Sequence, residues 1–447
     1  MKVTTTPIDG LLVIELDLHA DDRGWFKENW QREKMVSAGL PDFGPVQNNI
    51  SFNASKGATR GLHAEPWDKF VSVACGAVHG AWIDLRAESN SYGSRFEYEI
   101  TPSTAIFVPR GVANGFQALE DRTAYTYLVN EHWSAQAEYS YTNLSQVNWP
   151  LEPTEVSEKD RHHPLLHEAV PVPPRKILVT GANGQLGRAL QNSNPEFEYV
   201  SRHEFDITNP ASRRWSDYKA IINCAAYTDV DRAEVETAEA WMTNCRGPAR
   251  LVEIARQNSL DLIHISTDYV FDGSNASNYT EADPVSPISV YGASKAAGEA
   301  VALTYNRAFI IRTSWVIGDG KNFVATMKTL AERGINPEVV DDQVGRPTFT
   351  SDLADFLVHL LKQNADYGIY HFSNTGPAVS WFDLAQEVYE RLGYDQTRVK
   401  AVRSSDYFSG KRAAPRPQRS VFDVSKAEAT GFKIRTWDVA LAAYLGK

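Results

Sequence analysis

The sequence predicts two domains of different class: an all-β barrel, followed by an α/β domain with a doubly wound parallel sheet. Three observations support this fold class. The chain has 447 residues, more than a single hydrophobic core usually serves. Its first 150 residues contain short segments of alternating polarity, whereas strands alternate with helical patterns from Ile177 onward. A polar, proline-rich stretch lies between the two regions.

The composition is that of an ordinary globular protein, with 43% hydrophobic and 23% charged residues. The formal net charge of −11 argues against nucleic acid as a partner. No apolar run has the length of a membrane span and the N-terminus has no signal-peptide pattern, so we expect a cytoplasmic protein with no membrane partner. Cys75, Cys224 and Cys245 lack metal-ligand spacing. They are expected as free thiols, with Cys75 and Cys224 buried in strands.

The barrel is predicted from six segments bounded by Gly, Pro and Asn: residues 11–16, 70–75, 78–85, 96–100, 105–108 and 124–129. The stretch 150–174 ends in Val170-Pro171-Val172-Pro173-Pro174 and is expected to be a stiff tether. We therefore place the two domains at residues 1–172 and 173–447.

A glycine-rich loop opens the second domain. A predicted strand, residues 176–180, runs directly into it, and a helical pattern follows from Arg188. The loop reads Gly181-Ala182-Asn183-Gly184-Gln185-Leu186-Gly187. Glycines three residues apart let the backbone turn tightly and approach a pyrophosphate at the helix N-terminus. In this strand–loop–helix setting the pattern predicts a dinucleotide site in a Rossmann-type fold.

Tyr291 and Lys295 stand at the start of a predicted helix, residues 293–305, with their side chains on one face. A cation beside a phenol favours its ionised form, so the spacing predicts a pKa of Tyr291 below about 10. With the hydroxyl of Thr267, such a tyrosine can protonate a carbonyl oxygen while hydride reaches the carbon. Together with the glycine-rich loop, this order of motifs resembles the extended short-chain dehydrogenases/reductases.

His63 is the candidate functional residue of the first domain, although a lone histidine is more often structural. A metal site would need further ligands. The sequence has no His-x-His pair, His162 and His163 lie in the tail, and Asn114 stands where a ligand is expected. Because three ligands do not assemble with a recognisable spacing, we predict a barrel without metal.

Motifs across residues 3–168 resemble the dTDP-4-dehydrorhamnose 3,5-epimerase family, which has a cupin-type barrel. They are Asp22-Arg23-Gly24-x-Phe26, Gln47-x-Asn49-x-Ser51, Arg60-Gly61-Leu62-His63, Lys69, Ile83-Asp84-Leu85-Arg86, Pro109-x-Gly111 and Ser157-Glu158-Lys159-Asp160. The resemblance implies a His63–Asp160 base pair, with Lys69 near the sugar 4-keto oxygen. It implies Tyr127 as the acid on the opposite face, and a homodimer formed through the barrel. The residues it implies in nucleotide-sugar binding are Arg23, Phe26, Gln47, Asn49 and Arg60.

Two positions depart from this family. Asn114 replaces the histidine of an Ala-His-Gly-Phe motif, and Gly80 replaces the aspartate of a Phe-Asp-Val motif. The barrel surroundings therefore lose a carboxylate and an imidazole, while Asn114 still donates a hydrogen bond.

The region from Lys176 to Leu445 resembles dTDP-4-dehydrorhamnose reductase, including a small C-terminal substrate subdomain. The resemblance rests on the glycine-rich loop, Asn223-Cys224-Ala225-Ala226-Tyr227-Thr228, Ser266-Thr267-Asp268-Tyr269, Arg312-Thr313-Ser314-Trp315 and Arg416-Pro417. It implies chemistry by Thr267, Tyr291 and Lys295. Val230, Tyr269 and Trp315 would border the sugar, although core packing is an alternative for them. The implied cofactor contacts are Gly181, Asn183, Gly184, Gln185, Leu186, Gly187, Arg202, Asp206, Ile207, Ala225, Ala226, Tyr227 and Lys295.

The same scaffold serves dehydratases, 4-epimerases and binding subunits. Dehydratases share an acidic pair after the threonine, whereas Asp268 is followed here by Tyr269. We therefore expect a fusion that inverts C3 and C5 of a dTDP-4-keto-6-deoxy sugar and then reduces its 4-ketone. The alternative is a working reductase that carries a non-catalytic, nucleotide-sugar-binding barrel.

The expected cofactor is NADPH or NADH. No carboxylate follows the second strand of the domain where NAD enzymes bind the ribose, and Arg202 is suited to a 2′-phosphate. The sequence leaves Mg²⁺ dependence and the nucleotide base open.

Overall fold

The computed structural model describes residues 1–134, 137–363 and 365–446, and the chain divides into two units, Met1–Arg175 and Lys176–Lys447. No helix among these residues is long and apolar enough to cross a membrane. The three cysteines are unpaired. Burial of Cys75 was a wrong expectation, because this residue ends its strand and is exposed.

The first unit consists of antiparallel strands with two short α-helices. The strands are β1 (Lys2–Thr5), β2 (Leu12–Glu15), β3 (His19–Asp21), β4 (Gly24–Phe26), β5 (Gln47–Asn53), β6 (Thr59–Ala64), β7 (Lys69–Cys75), β8 (Val78–Asp84), β9 (Arg95–Ile100), β10 (Thr104–Val108), β11 (Val112–Ala118), β12 (Thr123–Val129) and β13 (Ser140–Tyr141). The helices are α1 (Arg32–Ser37), α2 (Glu158–Arg161) and a 3-10 turn, Leu144–Gln146.

These strands form two sheets, in the orders β1-β2-β10-β7-β12-β5 and β13-β6-β11-β8-β9, with β3 and β4 as a separate hairpin. Alternation directs one face of each sheet inward. Val71 and Tyr125 of the first sheet thus share a core with Trp82 and Phe116 of the second. The predicted all-β, barrel-like domain is confirmed, and a few polar side chains, Lys69 and Asn114 among them, are buried within it.

The segment 150–174 is packed against the first unit, which differs from the stiff tether expected from its prolines. Val172 pairs with Arg86, and its amide donates to the Leu85 carbonyl at 2.7 Å. Val172 and Ala169 are buried. The prolines are compatible with this packing. Proline has no N–H group to donate to a neighbouring strand, and none is required of a residue at the edge of a sheet.

The second unit is an α/β domain. Its strands are β14 (Lys176–Thr180), β15 (Glu198–Val200), β16 (Tyr218–Asn223), β17 (Asp261–Thr267), β18 (Ala308–Thr313), β19 (Val316–Ile317), β20 (Glu338–Val340), β21 (Val344–Gly345), β22 (Thr348–Phe349), β23 (Gly368–Phe372), β24 (Val379–Ser380) and β25 (Lys400–Val402). Its helices are α3 (Gln185–Ser193), α4 (Val230–Ala233), α5 (Thr237–Trp241), α6 (Gly247–Gln257), α7 (Val290–Ala302), α8 (Phe323–Glu332), α9 (Thr350–Lys362), α10 (Trp381–Arg391), α11 (Ser404–Tyr407), α12 (Ser425–Ala429) and α13 (Trp437–Leu445). A π-helical turn, Met242–Arg246, joins α5 to α6, and 3-10 turns span Trp215–Asp217, Asp268–Val270 and Gln396–Arg398.

The main sheet is parallel, in the order β15-β14-β16-β17-β18-β23. The strand order reverses between β14 and β16, which is where doubly wound sheets bind ligands at their carboxyl ends. The predicted doubly wound class is confirmed. A separate core around α8, α10 and α13 forms the small C-terminal subdomain.

Candidate active sites

In the first unit, His63 on β6 meets Asp160 on α2. His63 Nε2 lies 2.9 Å from Asp160 Oδ1, and the Gly61 amide donates to Oδ2 at 3.1 Å. Ser157 caps α2 by accepting from the Asp160 amide, which fixes the carboxylate. Burial would raise the pKa of Asp160, but the hydrogen bonds with His63 and Gly61 outweigh it and hold the pKa below its usual value. An ionised carboxylate therefore stands behind the imidazole.

His163 joins this pair, a neighbour that the sequence did not identify. Its Nε2 lies 3.8 Å from Asp160 Oδ1, and its ring stacks on Tyr141 at 4.6 Å. Burial and the neighbouring His63 lower the pKa of His163. Ligand atoms of the two histidines and Asp160 lie within 4.8 Å of one another. The argument that three metal ligands do not assemble is therefore wrong, because the tail folds back onto β6; a barrel without metal stays a prediction.

Lys69 and Asn114 form the polar interior of the barrel beside His63. Lys69 pairs with Glu65, and its ammonium donates to Asn114 Oδ1 at 3.3 Å. Asn114 lies directly across from His63 in the β6–β11 register, and its amide donates to the Tyr125 hydroxyl at 3.3 Å. The residue that departs from the family pattern thus contacts the predicted catalytic lysine.

Tyr127 lies under the Lys69 ammonium, 5.4 Å from the ring centroid. Burial and, second, the charge of Glu65 raise the pKa of Tyr127, so the phenol is protonated at neutral pH. Asn49 on β5 is the cross-strand partner of Tyr127. Because cross-strand partners share a face, Asn49 lies beside the phenol.

Gly80, the second departure, is explained by packing. A Cβ at this position would lie 2.4 Å from the Trp82 ring, which fills the core between the sheets. An aspartate does not fit here while Trp82 keeps its place.

The predicted nucleotide-sugar contacts are only partly assembled. Arg60 lines a cavity of about 690 Å³ with His63 and Asp160. Gln47 donates to Asn49 at 2.8 Å on the edge strand. Arg23 is paired with Asp21 at the tip of the β3–β4 hairpin, and Phe26 is 64% exposed. The structure does not bring Arg23 and Phe26 into this cavity.

The second site begins at the glycine-rich loop between β14 and α3. The helix starts at Gln185, earlier than the predicted Arg188. Gly181 has φ of 71°, and a Cβ there would lie 2.7 Å from the Ala225 amide nitrogen. A Cβ on Gly187 would lie 2.4 Å from the Gly181 carbonyl oxygen. Only glycines permit this close packing, which leaves the backbone open to a pyrophosphate, so the residues fit a dinucleotide.

A cavity of about 700 Å³ continues from this loop across the ends of the strands. It is lined by all the predicted cofactor contacts and by Thr267, Tyr291, Val230, Tyr269 and Trp315. The structure therefore brings every predicted residue of the second domain to one cavity. Their individual roles stay predictions.

Thr267, Tyr291 and Lys295 are buried at the cavity floor, with α7 beginning at Val290, earlier than predicted. The expectation of a lowered pKa for Tyr291 is wrong. Burial raises this pKa to about 12 against a weaker opposing hydrogen bond with Thr267. The Lys295 ammonium instead donates to the Ile265 carbonyl at 2.5 Å, and burial lowers its pKa to about 8. Tyr291 is thus protonated and able to donate.

Asp268 connects the cavity to the C-terminal part of the unit. It accepts from the Thr267 hydroxyl at 3.1 Å and from the Ser420 hydroxyl at 2.5 Å. Burial raises the pKa of Asp268 to about 6 in spite of these bonds. The carboxylate thereby fixes the Thr267 hydroxyl.

Trp315 is held in an unusual conformation at the cavity wall. Its φ is 47°, and its ring stacks on Trp381 at 3.6 Å. A bulky residue with positive φ is strained, and such strain is concentrated at ligand sites. Trp381, the first residue of α10, was not identified from the sequence, because no recognisable motif surrounds it.

Arg202 lies at the far end of the same cavity. Its Nη2 pairs with Glu239 at 2.8 Å, and its Nε lies 3.9 Å from Asp206. Carboxylates therefore do approach this end of the cavity, although none follows β15 directly in the sequence.

The structure also adds Glu65, which the sequence analysis missed. A carboxylate between His63 and Lys69, directly after the end of β6, was an available signal. Tyr141 and His163 gave no such signal, because their places beside His63 depend on the pairing of β13 with β6 and on the folded tail.

Comparisons with known proteins match the two units to two different families. The family model described as RmlD substrate binding domain matches residues 175–447, and that described as dTDP-4-dehydrorhamnose 3,5-epimerase matches residues 5–168. A dTDP-4-dehydrorhamnose reductase of Aggregatibacter actinomycetemcomitans is 39% identical over 60% of this chain and 97% of its own. The RmlC homolog of Streptococcus pyogenes is 45% identical over 38% of this chain and 91% of its own. The crystal structure of Bacillus anthracis dTDP-4-dehydrorhamnose reductase in complex with NADP is 36% identical, with a TM-score of 0.56, over 61% of this chain and 99% of that one.

Proposed function

The chain belongs to the RmlD family and, through its first unit, to the dTDP-4-dehydrorhamnose 3,5-epimerase family, and we propose that it catalyses two consecutive steps toward dTDP-L-rhamnose. The first unit inverts C3 and C5 of dTDP-4-keto-6-deoxyglucose, and the second reduces the 4-ketone. The observation that carries the proposal is that each unit has its own cavity with a proton-transfer set, His63–Asp160 in one and Thr267–Tyr291 in the other.

For the epimerisation, both carbons lie α to the ketone, so their protons are acidic enough for a positioned base. Neutral His63 removes the proton, and Asp160 stabilises the imidazolium that results. The developing enolate oxygen is stabilised by the ammonium of Lys69 in the buried interior. Tyr127 returns a proton to the opposite face of the same carbon, which completes the inversion.

For the reduction, the nicotinamide supplies the hydride when it is bound. Tyr291 donates its proton to the ketone oxygen, and the hydroxyl of Thr267, which donates to Asp268 in the free protein, turns to donate to the same oxygen. Lys295 contributes positive charge at the cavity floor. The glycine-rich loop holds the pyrophosphate, and Val230, Tyr269 and Trp315 border the sugar.

The cofactor is NADPH or NADH, and the Bacillus anthracis relative with NADP supports the phosphorylated form. Arg202 is the residue that we assign to the 2′-phosphate. A cytoplasmic location fits the three unpaired thiols.

A homodimer through the barrel is part of the proposal. The edge strand β5 exposes Ile50 and Phe52, at 66% and 57%, and the β3–β4 hairpin exposes Trp25 and Phe26. An exposed apolar edge favours pairing with a second chain. Light scattering tests this: the wild type is expected at about twice the mass of 49.8 kDa, and Ile50→Lys/Phe52→Lys as a monomer.

Deuterium exchange tests the division into two activities. The 4-keto sugar nucleotide is incubated in deuterated water without nicotinamide, and NMR follows C3 and C5. We expect deuterium at both carbons, and subsequent addition of NADPH should give the reduced sugar. A wild-type protein that reduces a pre-epimerised sugar but exchanges neither proton would instead establish the barrel as a binding module.

A further inference from the structure

Glu65 is a largely buried carboxylate in the first unit, two residues after His63. Its side chain is 11% exposed, and one oxygen pairs with the Lys69 ammonium. The other oxygen, Oε2, is buried and accepts no hydrogen bond from the described part of the chain. Burying a charged group in this way is costly for folding, which favours a functional reason for its presence.

The first consequence concerns the direction of Lys69. An ammonium has three N–H donors. One is directed to Glu65, and a second to Asn114 Oδ1 at 3.3 Å. With two donors fixed, the third has a defined direction. An ammonium held in this way stabilises an oxyanion better than one free to rotate, because its orientation is set before the reaction.

The second consequence concerns the charge around Tyr127. The Lys69 ammonium lies 5.4 Å from its ring centroid. After burial, the negative charge of Glu65 is the main cause of the raised pKa of Tyr127, and Arg60 acts in the opposite direction. The phenols of Tyr125 and Tyr139 also face this group. The negative charge of Glu65 therefore offsets the positive charges of Lys69 and Arg60 around the Tyr127 phenol.

We propose that Glu65 is a positioning residue of the epimerase: it directs the Lys69 ammonium toward the ketone oxygen and keeps a negative charge beside the Tyr127 phenol. This inference rests on the proposed epimerase function. Glu65 itself neither takes nor gives a proton. Its effect is to couple proton removal on one face to proton return on the other.

Proton balance shows how the coupling is measured. His63 takes one proton from carbon, and the enolate carbon then gains one proton. Return from His63 gives exchange without inversion, whereas return from Tyr127 gives inversion. In both cases solvent restores the protonation of the two side chains. Without the negative charge of Glu65, Tyr127 loses its proton at a lower pH than in the wild type. An ionised Tyr127 cannot return a proton to the carbon, so the number of inversions per exchange falls as the pH rises.

The test uses the full-length chain with Glu65→Gln, and Glu97→Gln as the matched control, since Glu97 is also ion-paired, with His79. Exchange and inversion are measured by NMR in deuterated water without nicotinamide, from about pH 6 to pH 10. We expect Glu65→Gln to lower exchange by a factor on the order of 10–10². Its ratio of inversion to exchange should fall at a lower pH than that of the wild type. Glu97→Gln should match the wild type in both.

A double variant keeps the proposal testable if the single change impairs folding, because Glu65→Gln/Lys69→Gln removes both charges of the buried pair. Since Glu65 acts on the exchange rate through Lys69, the double variant should exchange within about twofold of Lys69→Gln. Multiplicative losses would overturn the proposal. An equal fall of exchange and inversion at every pH would overturn it too. A wild type without exchange would refute the epimerase function itself, whereas a wild-type-like Glu65→Gln would refute only the role of Glu65.

Discussion

The two cavities achieve proton transfer by different physical means. In the first unit, charged groups compensate one another: Asp160 faces His63, and Glu65 faces Lys69. In the second unit, burial dominates, since it raises the pKa of Tyr291 and lowers that of Lys295. A charge-compensated site depends on partners from several strands, a helix and a loop, whereas a buried one depends on the packing of a single helix against the sheet.

The largest expected effect separates the two sites outright. His63→Ala removes the base, so exchange at both C3 and C5 should fall by about 10⁴-fold, to the background of the measurement. Reduction of a pre-epimerised sugar should remain within about twofold of the wild type, because the two units fold as separate cores. Exchange is followed by NMR and reduction by the absorbance of NADPH. Residual exchange near the wild-type rate would exclude His63 as the base.

Tyr291→Phe makes the reciprocal change and should lower the reduction rate on the order of 10³-fold, because the proton donor to the ketone oxygen is lost. Exchange should survive. His63→Ala and Tyr291→Phe thus serve as controls for each other in the same pair of assays. If Tyr291→Phe also stopped exchange, the assignment of one step to each unit would be wrong.

The pH dependence distinguishes burial from charge compensation. Lys295 has its pKa lowered to about 8, so its positive charge is present below this pH and is lost as the pH rises through it. The kcat/KM for reduction should therefore fall about tenfold per pH unit above pH 8. The exchange reaction, which does not use Lys295, provides the control. A basic limb near the ordinary lysine value of about 10.4 would contradict the effect of burial.

Cofactor preference is expected to change by a smaller factor. Arg202→Ala should lower kcat/KM with NADPH about tenfold by removing a charge-assisted contact, and should leave NADH nearly unaffected. Glu239→Gln is the matched control, because it frees Arg202 from its ion pair and should not weaken NADPH use. A strong preference for NADH that Arg202→Ala does not alter would exclude this role.

The smallest effect is expected at Asn114. A neutral histidine also accepts and donates one hydrogen bond, so Asn114→His should change the exchange rate by less than about tenfold. Asn114→Leu, which has no acceptor for Lys69, should lower exchange further. Equal rates in the two variants would show that the Lys69–Asn114 bond has no part in the reaction.

The sequence by itself determined the two fold classes and the contents of the second cavity. The glycine-rich loop, Thr267 and the Tyr291–Lys295 pair lie in short motifs, and a parallel sheet brings the ends of its strands to one edge. For the second cavity, the order of the motifs along the chain is sufficient to predict which residues meet. In the barrel the sequence also predicted six strands, but not β5, β6 or β11, which contain Asn, Gly or Ala residues that are depleted in strands.

Only the tertiary structure decided how the groups of each site act on one another. The packing of segment 150–174 brings Asp160 and His163 to His63, and the β6–β11 register places Asn114 opposite His63. The pKa of Tyr291 followed burial rather than the nearby cation expected from the spacing. Motif spacing fixes which face a side chain occupies, whereas desolvation and long-range partners depend on the packing of distant segments.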